Sequence, residues 1–158
     1  MYKMFPSASI YDQQKYIANE ESLVSRLTVY SKANRKAEIK ILLHYQKPPF
    51  EEVKLIRCTR GSVYSVVVDL RPNSPTYKQW ESIVLSENEY CWRYIPEVCA
   101  NGIQALEDDT ELIYQVTQFH APESEAGIRW NDPVFQIKWP LPSELISKKD
   151  QSWKDFLE

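Results

Sequence analysis

From about residue 39 onward the chain is written in short runs of β-branched, aromatic and aliphatic residues, each closed by a turn signal. That rhythm constrains its fold more than any other feature. Segments this short favour a sandwich or barrel over helices. The predicted strands are Ile39 to Tyr45, Val53 to Thr59, Ser62 to Leu70, Gln79 to Leu85, Tyr90 to Ile95, Gly102 to Leu106 and Leu112 to Phe119. Arg60-Gly61 marks a tight turn, while Pro72-Asn73-Ser74-Pro75, Ser86-Glu87-Asn88 and Glu107-Asp108-Asp109 read as loops. The expected class is mainly β.

The flanks are less regular. Asp12 to Arg26 is polar with scattered Tyr16, Ile17, Leu23 and Val24, the pattern of a short helix or an irregular arm. After Pro142, the tail from Glu144 to Glu158 carries Leu145, Ile146, Trp153, Phe156 and Leu157 at roughly helical spacing, which predicts a short amphipathic helix over the barrel. A chain of 158 residues with no internal repeat is the size of one domain.

Several function classes lose their footing on composition. A net charge of -3 gives no overall reason to bind nucleic acid. Neither a secretory leader nor a membrane-length apolar run is visible, so a cytoplasmic protein is expected. Cys58, Cys91 and Cys99 lack metal or redox spacing and read as buried free thiols. Two histidines, His44 and His120, cannot supply the histidine set of a barrel metalloenzyme, and no metal is expected. No dinucleotide, P-loop or hydrolase-elbow signature is present. Aromatics at 13% serve either a ring-binding surface or a plain core.

Acid–base chemistry remains. Alternation on a strand puts Lys54 on one face with Ile56 and Cys58, His44 with Leu42 and Lys40, and Leu112 with Tyr114 and Val116. A lysine on an apolar inner face is costly unless it serves a ligand or an ion pair, which singles out Lys54. His44, ending an apolar strand, is either a satisfied core histidine or a base. Tyr114 is a packing residue or a proton donor, and Asp150 is a solvated charge or a partner for a base.

The runs KLIRCTRGSVYSVVVDLRPNSPTYKQW, IVLSENEYCWRYIPE and ELIYQVTQFHAPESEAGIRWNDPVFQIKWP, in that order, resemble the dTDP-4-dehydrorhamnose 3,5-epimerase family, from about Leu43 through Asp150. The resemblance implies a cupin-type jelly roll, a barrel or sandwich spanning 1–158 with a divergent N-terminal arm over 1–38. It implies epimerisation at C3, C5 or both of a nucleotide-linked 4-keto sugar, in glycan or lipopolysaccharide biosynthesis, by a cofactor-independent homodimer. In the family a His in an LHxQ-like motif is the base, an Asp near the C-terminus supports it, a Tyr on the opposite face reprotonates the carbon, and a Lys steadies the enolate. Those roles fall here on His44, Asp150, Tyr114 and Lys54. Substrate contacts fall on Asn101, His120, Gln46 and Arg57.

The chain departs from the family pattern in places. Asn101 replaces a His, QFHAP with Phe119 and His120 replaces a TxYYAP-like run, Ile41 stands where an Arg is expected, and a DERGFF-like motif has no counterpart. These changes imply an altered substrate or inversion at one carbon instead of two. Two alternatives share the resemblance: a 4-keto sugar isomerase of the same fold, and a catalytically inactive homologue that binds a sugar nucleotide.

Overall fold

The computed structural model describes residues 2–3, 24–30, 43–142, 146 and 148–156. Ten strands are present among them: β1 Tyr2–Lys3, β2 Val24–Tyr30, β3 His44–Gln46, β4 Lys54–Arg60, β5 Ser62–Asp69, β6 Trp80–Ser86, β7 Trp92–Ile95, β8 Cys99–Ala105, β9 Thr110–Val116 and β10 Glu125–Gly127. They form two five-stranded sheets, one ordered β1-β7-β4-β9-β2 and the other β10-β3-β8-β5-β6. The mainly β expectation holds, with two sheets stacked as in a jelly-roll sandwich.

Two apolar layers hold this arrangement. Between the sheets, Ile56, Val63, Val67, Leu85, Ile95, Ile103 and Leu112 form a buried cluster. Every one sits at an alternate position of its strand, so period-two patterning decides which side chains enter. The opposite face of β5 and β8 is also apolar: Val66, Val68 and Ala100 pack with Leu43, Ile128, Phe135 and Ile137. Chain segments after β10 cover that face, with Trp139 set edge-on to Tyr64 at 5.9 Å between ring centres. Much of the aromatic complement is thus core packing on the outer side of one sheet.

Several boundaries differ from expectation. Asp12 to Arg26 lies partly outside the described residues, but Val24 onward is a strand paired with β9 over seven positions. Its sequence, VSRLTVY, is β-prone, and only pairing with β9 supplies the partner that settles it. For the strand predicted at Ile39 to Tyr45, residues 39–42 are outside the described set and 44–46 are paired. In place of a C-terminal amphipathic helix there is one helical turn, α1 Lys148–Gln151, followed by residues without regular structure. The aromatic spacing there reflects docking: Phe156 meets Phe135 at 5.3 Å between ring centres. All three cysteines are free and buried, as expected, and burial pushes the thiols of Cys58 and Cys99 up to about 11 and about 12.

Candidate active site

Two facing walls define the site. On one sheet, antiparallel pairing sets His44 opposite Asn101, Asn101 opposite Val67, and Val67 opposite Glu81. Directly paired residues share a face, and Val67 belongs to the cluster between the sheets, so His44 and Asn101 are on the inner face. On the other sheet, Tyr114 pairs with Ile56, and Lys54 stands two positions before Ile56 on β4. Lys54 and Tyr114 are therefore diagonal neighbours on the inner face of that wall, and Tyr114 packs against the cluster between the sheets. The histidine wall faces the tyrosine–lysine wall across the interior.

Lys54 is 7% exposed, and its ammonium has a carboxylate partner. Its Nζ lies 3.2 Å from Glu52 Oε1 and donates to the His44 carbonyl oxygen at 3.5 Å. The ion pair that a buried lysine demands is supplied from two residues away. The contact with the His44 carbonyl also ties the two walls together at the level of the imidazole. On the same wall, Ser65 Oγ donates to Asn101 Oδ1 at 3.4 Å, which leaves the NH2 end of the amide as the group Asn101 offers the interior.

Further along the interior lies an ion pair that sequence reasoning overlooked. Arg93 pairs with Ile56 in the β4–β7 ladder, is 1% exposed, and sends its guanidinium to the Ser65 carbonyl and to Glu81 Oε1 at 3.1 Å. Burial lowers its pKa to about 10, against the opposing pull of Glu81. The signal was available: Arg93 stands between Cys91 and Ile95 on one face of a strand, the argument that singled out Lys54.

The other candidates are placed as follows. Gln46 is 1% exposed and its amide is committed to backbone: Nε2 donates to the carbonyls of Phe50 at 2.7 Å and Phe119 at 3.2 Å, and Oε1 accepts from Ala121 N–H at 2.6 Å. It binds the loops after β3 and β9 together and thereby fixes the strand that carries His44. His120 has an exposed side chain 3.8 Å from Glu125 Oε2. Arg57 occupies the opposite face of β4 from Lys54, its guanidinium 5.2 Å from the centre of the Tyr90 ring, so it does not join the inner-face groups. Asp150 is 1% exposed on α1. Ile41 lies outside the described residues.

Polar groups on opposed walls of a largely apolar interior suit proton transfer to and from one bound carbon. Comparison with known proteins places the chain among related sequences and structures. A family model described as dTDP-4-dehydrorhamnose 3,5-epimerase matches residues 7–158. The dTDP-4-dehydrorhamnose 3,5-epimerase of Sinorhizobium fredii is 39% identical over 117 residues, covering 73% of this chain and 60% of that protein. The chain thus spans about 60% of the length of that curated relative. Among solved structures, the Bacillus anthracis dTDP-4-dehydrorhamnose 3,5-epimerase with TDP and pyrophosphate bound superposes with a TM-score of 0.80 at 30% identity, over 95% of this chain and 83% of that one. A Legionella pneumophila dTDP-6-deoxy-D-glucose-3,5-epimerase in complex with dTDP-4-keto-L-rhamnose gives 0.77 at 29% identity, over 94% and 77%.

Proposed function

The chain belongs to the dTDP-4-dehydrorhamnose 3,5-epimerase family, and from that premise we propose that it epimerises a nucleotide-linked 4-keto sugar at C3, C5 or both. The observation that carries the reading is the opposition of His44 and Asn101 on one wall to Tyr114 and Lys54 on the other.

A C–H bond beside a ketone is weakly acidic because the electron pair left behind delocalises onto the ketone oxygen. His44 removes that proton, and buried Asp150 holds the imidazole in the tautomer that accepts it and stabilises the imidazolium formed. Lys54 offsets the charge that grows on the oxygen, in an interior where little water screens it. The Asn101 amide adds a neutral donor. Tyr114 delivers a proton to the opposite side of the planar carbon, which inverts its configuration. Protons are exchanged and no net oxidation occurs, so the residues suffice without a cofactor. His120, exposed at the edge of β10, contacts the more distant part of the substrate, and two copies of the chain form the working dimer.

The test is proton NMR in deuterium oxide with dTDP-, CDP- and GDP-linked 4-keto sugars, beside a His44→Ala control. Solvent deuterium entering C3, C5 or both, and lost in the control, is the expected result. No exchange with any of these sugars overturns the assignment.

A further inference from the structure

Gly127 stands next to the base. It pairs directly with His44 across β10 and β3, so a side chain at 127 would project from the same inner face, beside the imidazole. That space is filled from elsewhere in the chain: a Cβ built on Gly127 would meet the indole of Trp153, with Nε1 at 2.7 Å. The row on the inner face therefore runs Trp153, His44, Asn101, with the indole standing where residue 127 has no side chain of its own.

The indole is held from both sides. Three residues before it, Asp150 is buried on α1 at 1% exposure. Three residues after it, the Phe156 N–H donates to Asp132 Oδ2 at 2.6 Å and the Phe156 ring packs on Phe135. Between them Arg129 and Asp155 pair at 2.6 Å. Yet the indole Nε1–H itself is buried with no hydrogen-bond partner. A buried N–H without an acceptor is rare because it forfeits its hydration, and a tryptophan so placed ordinarily finds one.

We propose that Trp153 is a substrate-contact residue: its indole closes over Gly127 beside His44 and, moving off that glycine as the ligand enters, gives its N–H to an oxygen of the bound sugar. This rests on the epimerase reading and names a specificity element within it. An indole nitrogen donates and cannot accept, so the sugar position it meets carries a hydroxyl or keto oxygen, not an ammonium group.

Trp153→Phe keeps a ring over Gly127 and removes only the donor. Calorimetry with dTDP and with a dTDP-linked 4-keto-6-deoxy sugar separates the sugar contribution from that of the nucleotide. The expected result is unchanged affinity for dTDP and a roughly three- to tenfold loss for the sugar nucleotide, the span of one neutral hydrogen bond. Gly127→Ala, which displaces the indole, should show the same sugar-selective loss, and the double variant should be no worse than the weaker-binding single variant. Equal weakening of both ligands by Trp153→Phe would mark a purely structural tryptophan and overturn the proposal, as would wild-type affinity for the sugar nucleotide. Because binding is read directly, an absence of deuterium exchange in the wild type would sink the epimerase reading while leaving the Trp153 contact decided by the affinities.

Discussion

Lys54 brings charge and burial together on the wall opposite His44. At 7% exposure its ammonium depends on Glu52 at 3.2 Å, and a pair held this far from water is retained at a desolvation cost. Its place on the wall opposite His44 suits it to a growing negative charge on a ketone oxygen. Lys54→Met should preserve near-ultraviolet circular dichroism while lowering kcat for deuterium exchange roughly 100-fold or more, the usual effect of removing one such stabilising group. A variant with wild-type kcat would remove Lys54 from the mechanism. Gln46 illustrates a different division of labour. Two residues after His44, it spends its amide on three backbone groups, and a residue so committed fixes geometry before it contacts any ligand.

The turn after β5 shows how one carboxylate organises an element. Asp69, at the end of that strand, accepts from the Arg71 guanidinium, Ser74 Oγ and Thr76 Oγ1, closing the loop that leads into β6. Burial alone would raise its pKa, but these hydrogen bonds outweigh it and hold the carboxyl well below the usual 3.8. A depressed folded pKa stabilises the native state fully above the unfolded value, and that contribution drains away as the pH falls below it. Denaturant midpoints should therefore fall steeply below about pH 4, and Asp69→Asn should cost about 2 kcal/mol at neutral pH while flattening that acid limb. Equal acid sensitivity in the two proteins would show that other carboxylates dominate. The loop itself was legible from Pro72-Asn73-Ser74-Pro75. The network closed by Asp69 was not, because its partners lie on both sides of those prolines and only the folded turn makes them converge.

For the molecule as a whole, the homodimer proposed above should appear in light scattering at micromolar concentration as twice the chain mass. A monomeric mass would contradict it. The alternation of apolar residues in β4, β5, β8 and β9 determined the mainly β class and which side chains enter the core, since strand geometry fixes faces before any partner is chosen. The ordered motifs determined the family, and with it the residues proposed for the chemistry. Tertiary structure alone decided the rest. Period two says that Lys54 and Tyr114 can point inward, but not that His44 and Asn101 will face them, because strand order and sheet stacking are long-range choices. Likewise, nothing local to GIRW or to SWKDF indicates that Gly127 makes room for Trp153 beside His44. That contact exists only because distant apolar surfaces draw the tail across the edge of the sheet and bring residues far apart in the chain into one wall.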